Sequence, residues 1–301
     1  WDFLKGIMTM FNLIALADPQ NPNNIVIEPY NEIFGVSPTV VTPTLRNWTD
    51  KIDVSEMDLS PIDLKKKVIF RYEEDSEDYC IGTYRNITNT SYDSKTLDGD
   101  TILISGGQSS NLTGKEEIIA APFAPTLSRS LFATTPFLIV PQIYSSNKDG
   151  TEFSGFGNMG RILYNNGIKS VGSSPAITYH IPAQNGEDSE NQPEFLQFSH
   201  LSSIPTFSST TLDYNFESKQ LIQPIGFTPV NNLYNTYYGA YFNELYNKNT
   251  RVMTIKVNLN ATDINTFKFY DKVMIKNREF RVNRIDYNPN ELSTVEFILI
   301  T

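Results

Sequence analysis

The chain has 301 residues, 40% of them apolar and 12% aromatic, enough to bury the cores of roughly two or three domains and too apolar for disorder. A net charge of −10 argues against a nucleic-acid binder that works through clustered Lys and Arg. The lone cysteine, Cys80, excludes an intrachain disulfide and a cysteine-based zinc site, and no apolar run approaches the ~18 residues of a membrane span, so no membrane insertion is expected.

From Asp2 to Leu13, Leu4, Ile7, Met8 and Phe11 recur at helical spacing, which predicts a short helix that docks one apolar face on a sheet. Leu13 to Ala17 and Asn24 to Glu28 flank the turn-forming Asp18-Pro19-Gln20-Asn21-Pro22 and predict a β-hairpin. The proline-bearing stretch from Ser37 to Thr44 reads as an extended connector. Lys66 to Tyr72 alternates, with Val68, Phe70 and Tyr72 on one face, and Thr101 to Ser105 and Glu117 to Ala121 are further strand candidates. Between them, Glu73 to Gly99 reads as a long polar loop, and its acidic run, Glu73, Glu74, Asp75, Glu77 and Asp78, reads as solvated.

Asn165-Asn166-Gly167 tolerates positive φ and predicts a tight hairpin between Arg161 to Tyr164 and Ile168 to Val171. Phe137 to Val140 and Ala176 to Ile181 read as extended, and Pro182 to Gln192 as an exposed excursion. A second helix is expected over Val230 to Tyr246, with Leu233, Tyr234, Tyr237, Tyr238, Tyr241 and Leu245 as an apolar stripe used for packing. From Arg251 the period becomes two: Met253, Ile255, Val257 and Leu259, then Val273 and Ile275, Phe280 and Val282, and Val295, Phe297 and Leu299 each share a face. The fold class expected is therefore mainly β with a few α-helices: several antiparallel β-domains, the last a small barrel or sheet preceded by the aromatic-rich helix. The segments are 1–36, a helix and hairpin at the end of a domain truncated at its N-terminus, 37–229, a β-rich middle with long loops, and 230–301.

The motifs that suggest chemistry lack its context. Gly155-Phe156-Gly157-Asn158-Met159-Gly160 matches the dinucleotide fingerprint, but the polar Lys148 to Glu152 precedes it and the strand-like Arg161 to Tyr164 follows, where a buried strand and a helix are required. His180 and His200, the only histidines, stand in no metal-ligand or nucleophile motif. Asp98-Gly99-Asp100 and Asp149-Gly150 read as turns, not calcium loops. No catalytic, cofactor-binding or metal-ligating residue is assigned, no cofactor is expected, and the chain reads as a protein other than an enzyme.

Three groups of residues carry a resemblance. The first is Trp1-Asp2-Phe3-Leu4-Lys5-Gly6-Ile7-Met8-Thr9-Met10-Phe11-Asn12-Leu13 with its hairpin and Ile27-Glu28-Pro29-Tyr30. The second joins Trp48 to Asp53, Ala124-Pro125-Thr126 and Arg161 to Gly167. The third runs from Asn231 to Tyr238, then Asp263-Ile264, Phe269 to Ile275 and Phe280 to Ile285. Together they resemble hub-type structural proteins of the tails and baseplates of large tailed bacteriophages. The resemblance implies a virion subunit that forms a ring with its own copies, contacts other tail or baseplate proteins such as tube, spike or fibres, and encloses passing DNA without binding it specifically. Alternative readings are a carbohydrate- or receptor-binding tail module, for which exposed aromatics among Asn and Asp would form the groove, the tyrosine stripe serving only if it is solvent-exposed, and a β-rich glycoside hydrolase, which requires two carboxylates facing across a cleft.

Overall fold

The computed structural model describes residues 1–18, 21, 23–35, 37–107, 112, 114–130, 139–143, 159–170, 179–181, 190–192, 194–203, 210–217 and 229–299. In chain order the elements begin α1 (Asp2–Met10), β1 (Leu13–Ala17), β2 (Ile25–Pro29), α2 (Tyr30–Phe34), β3 (Leu45–Asn47), β4 (Ile52–Ser60), β5 (Lys67–Tyr72), α3 (Tyr79–Thr88) and β6 (Ser94–Asp98). Next come α4 (Gly99–Ser105), β7 (Glu116–Ala121), β8 (Leu127–Ser130), β9 (Ile139–Gln142), β10 (Tyr164–Ser170), β11 (Tyr179–Ile181), β12 (Glu190–Gln192), β13 (Glu194–Ser199), β14 (Leu212–Asp213) and β15 (Asn231–Asn232). A π-helical turn at Tyr234–Tyr238 leads into α5 (Gly239–Leu245), followed by β16 (Val252–Val257), α6 (Ala261–Thr266), β17 (Lys272–Ile275), β18 (Arg278–Asp286) and β19 (Ser293–Leu299). The fold is mixed α and β, with mostly antiparallel pairing.

Two compact units alternate along the chain. One comprises Trp1–Met10, Ile69–Lys95 and Ile118–Thr236, the other Phe11–Val68, Thr96–Glu117 and Tyr237–Thr301, whereas the segments 1–36, 37–229 and 230–301 read from the sequence run consecutively.

The second unit holds a six-stranded sheet in the order β3-β17-β18-β19-β16-β4. Its alternation is the one expected: Met253, Ile255, Val257, Val273, Ile275, Phe280, Val282, Val295 and Phe297 are buried on one face with Trp48 and Leu259. Cross-strand pairs such as Met253 with Phe297 and Val282 with Phe297 keep these side chains in register. Two strands come from far upstream, β4 pairing antiparallel with β16 and β3 parallel with β17. Trp48 turns the corner between them, its backbone N–H donating to Met274 O and its ring packing on Phe267 and Phe297 at 5.6 and 6.1 Å. The edges β3 and β4 converge at this corner but do not pair, so the sheet curves without closing into a barrel.

Helix α6 lies outside the expected elements. Its start is a capping box: Asn260 Oδ1 accepts from Asp263 N at 2.9 Å and Asp263 Oδ2 accepts from Asn260 N at 3.0 Å. Lys51 Nζ then bonds both Asp263 oxygens at 2.5 and 2.6 Å, and these bonds hold the Asp263 carboxyl below its ordinary pKa against the opposing effect of burial. Asn260→Ala is expected to cost about 1 kcal/mol, measured as a lower urea midpoint at unchanged slope.

In the first unit, Phe70 and Tyr72 of β5 pack on Phe216 at 6.0 and 5.3 Å, and Phe70 meets Tyr234 at 5.2 Å. Helix α1 forms as expected but docks through Gly6 and Met10, its buried residues, while Leu4 of the expected stripe is exposed. A Cβ at Gly6 would stand 2.8 Å from the Phe123 ring. The close approach of a glycine to an aromatic ring, with Phe3 edge-on to that ring at 5.7 Å, replaces a periodic apolar face.

Four local expectations are corrected. Thr101 to Ser105 is helical, within α4, because Asp98 caps that helix by accepting from Thr101 N at 2.8 Å. Glu73 to Gly99 is no loop: it contains α3, capped by Asp78, and β6. Asn165-Asn166-Gly167 is not a hairpin turn but a bulge within the continuous β10, which pairs with β13; the φ of +74° at Gly167 serves the bulge as it would a turn. The helix expected over Val230 to Tyr246 begins later, since Asn231 and Asn232 form β15, and its buried line runs through Leu233, Tyr234, Tyr238, Phe242 and Tyr246. The expected strands at 137–140 and 176–181 are seen from 139 and 179 onward; of the excursion expected at 182–192, residues 190–192 instead form β12, paired with β11, and the remaining residues lie outside those described.

Candidate functional site

The chemistry-bearing groups of the first unit meet inside it. Asn215 Nδ2 donates to Asp213 Oδ1 at 2.7 Å, which orients the amide so that its Oδ1 faces His200 Nδ1 at 2.9 Å. His200 is therefore the Nδ1–H tautomer, with Nε2 buried and without a hydrogen-bond partner among the described residues, as is Asp213 Oδ2. Burial lowers the His200 pKa to about 4, and burial raises that of Asp213 to about 7. Tyr72, whose OH donates to Tyr214 O at 2.5 Å, and Tyr92 are also buried, and burial raises both phenols well above their ordinary value. His200 and Asp213 are 0% and 2% exposed, so this relay is placed to hold β14 and its neighbours together rather than to meet a solute.

The acidic run expected to be solvated is partly interior. Asp75 and Asp78 are buried and receive Arg161 Nη2 at 3.1 and 2.9 Å, while Glu74 bonds Arg85 and Ser91. Residues 155–158 of the glycine run lie outside those described; Met159 N donates to Asp75 Oδ2 at 3.0 Å, and residues 159–163 are not helical. His180 lies on β11, Asp98 is the cap of α4, and Asp100 accepts from Leu112 N at 2.9 Å. Asp149-Gly150 falls outside the described residues. Cys80 is half-buried, and burial followed by the Asp78 charge raises its thiol pKa. Among the described residues no group of three or more His, Cys, Asp or Glu is placed to hold a metal, and no helix is long and apolar enough to cross a membrane.

The accessible feature is the mouth of the six-stranded sheet in the second unit. Where β4 leaves the corner at Trp48, Asp53 pairs with Lys256 and Met57 with Ile255, so residues 54–56 bulge out of the ladder. Beyond the bulge, Met57 and Leu59 stand opposite the buried Ile255 and Met253 and so continue the core face to the sheet edge. Among the described residues nothing covers them there: Val54, Met57 and Leu59 are 65%, 57% and 58% exposed. A groove of about 900 Å³ opens between this edge and the turn joining β17 to β18, with Ile255, Phe280 and Leu299 in its lining. Lys276 and Arg278 stand on its rim and are exposed. Glu279 is the single carboxylate in the lining, so no carboxylate pair spans it.

The β1–β2 hairpin of the same unit is also uncovered. Ala15 pairs with Ile27 and Ala17 with Ile25, which puts the four on one face, and all four are exposed. Its base is fixed: Tyr30 N donates to Asn12 O at 2.9 Å, Asn12 Nδ2 to Tyr237 O at 2.9 Å, and Arg281 holds Tyr30 OH at 2.7 Å and Glu244 at 3.0 Å. The edge residues Met57 and Leu59 were not marked out in the sequence; the signal that could have found them is the apolar alternation of 52, 54, 57 and 59 in a segment bearing Asp53, Glu56 and Asp58. Comparison with protein-family models, with curated proteins and with solved structures finds no match.

Proposed function

We propose that this chain is a structural subunit of a symmetric assembly, and that the assembly is the tail or baseplate hub of a tailed bacteriophage. The observation that carries the first part is the nine-residue edge strand β4, uncovered among the described residues, with Val54, Met57 and Leu59 exposed. A long apolar edge is a liability in a monomer, and proteins that keep one use it for contact with another chain. The phage identity rests on the three groups of residues that resemble hub-type tail proteins. In that setting the copies form a ring around passing DNA, and a net charge of −10 keeps the duplex from adhering over a Debye length of ~8 Å at physiological salt.

The receptor-binding alternative could draw on the tyrosine stripe only if it were exposed, and Tyr234 and Tyr238 are buried with Tyr237 and Tyr241 half-buried, so the stripe lends that reading no support. Sedimentation across a concentration series tests the assembly, with a ring of fixed copy number as the expected result; a monomer at every concentration overturns it. Electron microscopy of particles labelled through a tag on this chain tests the location, and a label on fibre tips or absent from tails overturns the hub assignment.

A further inference from the structure

The outer face of the six-stranded sheet carries a concavity of a different kind, walled by aromatic rings and an ion pair. Arg281 stands on β18 between the core residues Phe280 and Val282 and so faces away from the core. A cavity of about 270 Å³ opens beside it, with Tyr30 and Phe34 of α2, Tyr241 and Glu244 of α5 and the turn residue Phe269 in its lining. All of these belong to the second unit.

The walls are fixed before any ligand arrives. Arg281 Nη1 donates to Tyr30 OH at 2.7 Å, and Nη2 donates to Phe34 O and meets Glu244 Oε2 at 3.0 Å. The guanidinium also lies over the Phe34 and Tyr30 rings, 5.6 and 5.9 Å from their centroids. Pairing cancels the two charges, so an anion gains from Arg281 what it loses to Glu244, and a cation the reverse. What stays open is hydrogen-bonding capacity: Glu244 Oε1, an acceptor, and the Tyr241 hydroxyl have no hydrogen-bond partner among the described residues. Burial raises the Glu244 pKa, as expected of a carboxylate withdrawn from water. Phe269 adds a ring that is 53% exposed and held edge-on to Phe267 at 5.6 Å.

A neutral ligand that donates hydrogen bonds from its rim and offers C–H groups on its faces meets all of these demands, and a sugar ring is such a ligand. We infer that this cavity binds one pyranose, its hydroxyls donating to Glu244 Oε1 and pairing with the Tyr241 hydroxyl, and its C–H face lying on Phe269. The volume falls below the ~300–1,000 Å³ of sites for drug-sized ligands, which suits a single ring. Of the helical tyrosine stripe only Tyr241 takes part, so the burial of Tyr234 and Tyr238 does not bear on this site, and the inference is independent of the assembly reading.

The full chain is to be titrated with glucose, galactose, mannose, rhamnose and N-acetylglucosamine, each as free sugar and as methyl glycoside, and with methylammonium, by calorimetry and saturation-transfer NMR. At least one pyranose is expected to bind with a Kd on the order of 1 mM, saturation passing to its ring C–H protons. A glycoside that binds as well as the free sugar identifies the end of a glycan as the source, and binding of the free sugar alone identifies a soluble one. Phe269→Ala, which removes an exposed ring, is expected to weaken binding about tenfold. Tyr241→Phe, which removes a hydroxyl the fold leaves unpartnered, is expected to weaken it about fivefold. Melting curves that match wild type show that both variants fold. If no sugar binds, if both variants bind it as tightly as wild type, or if methylammonium binds and no sugar does, the inference is overturned.

Discussion

Arg161→Met is expected to lower stability by about 3–5 kcal/mol, the cost of leaving buried charges without their counterion. The Arg161 side chain is 6% exposed, and those of Asp75 and Asp78 are 3% and 0%. Its Nη2 bridges the two carboxylates, and Nη1 donates to Pro125 O and contacts Thr126 Oγ1 at 3.4 Å. Each carboxylate has a second task. Asp78 Oδ1 accepts from Cys80 N and Ile81 N at the start of α3, and Asp75 accepts from Glu77 N and Met159 N. Removing the guanidinium leaves two neighbouring anions in the interior with only these amides to hold them. Lysine should rescue little, because one ammonium cannot reproduce a planar fork that bridges two carboxylates and a carbonyl. Urea denaturation measures the loss. Adding Asp75→Asn to the Arg161→Met background should recover more than about 1 kcal/mol, the coupling expected of contacting groups. A loss under about 1 kcal/mol for the single variant would place the cluster among solvated ion pairs.

The pair His200 and Asp213 should give opposite pH signatures. For His200 the folded pKa, about 4, lies below the unfolded one, so between pH 4 and 6.5 the unfolded chain holds the extra proton and stability falls on acidification. For Asp213 the folded pKa, about 7, lies above the unfolded one, so between pH 3.8 and 7 the folded chain holds the extra proton and stability rises on acidification. The two contributions oppose each other over their shared window, each with a slope of about 1.4 kcal/mol per pH unit. Asp213→Asn exposes the histidine: relative to wild type, the variant should lose on the order of 3 kcal/mol between pH 7 and pH 4. His200→Gln should gain relative to wild type over pH 6.5 to 4. Denaturation of the three proteins at matched pH is the measurement, and parallel curves for all three would show that neither group is shifted by burial.

What the sequence made legible was local and periodic. The run from Met253 to Leu259 could be assigned to a strand and a face because every second residue is apolar and the intervening ones are polar, and Val68, Phe70 and Tyr72 were legible for the same reason. Legibility failed where one residue type serves two geometries. Gly167 supplies a positive φ whether the chain reverses or merely bulges, and only the distant partner β13 decides between them. Ile102 and Leu103 suit a strand or a helix, and the cap at Asp98 decides. Arg161 and its two aspartates lie more than eighty residues apart, and nothing local marks charges that will be buried together. The groove was hidden for a related reason: β4 looks like an ordinary strand until its neighbour on one side proves to be β16 and on the other, among the described residues, no strand.

The corner at Trp48 has a kinetic side. Strands β3 and β4 leave the ribosome about two hundred residues before β17 and β16, the strands they pair with among the described residues. At synthesis rates of about 5–20 residues per second, their wait is about 10–40 s. During it β4 has two open edges instead of one, and the sheet it will join does not exist. Such non-local pairing slows folding, and apolar side chains such as Val54, Met57 and Leu59 left open through that interval are the kind of surface on which incompletely folded chains aggregate.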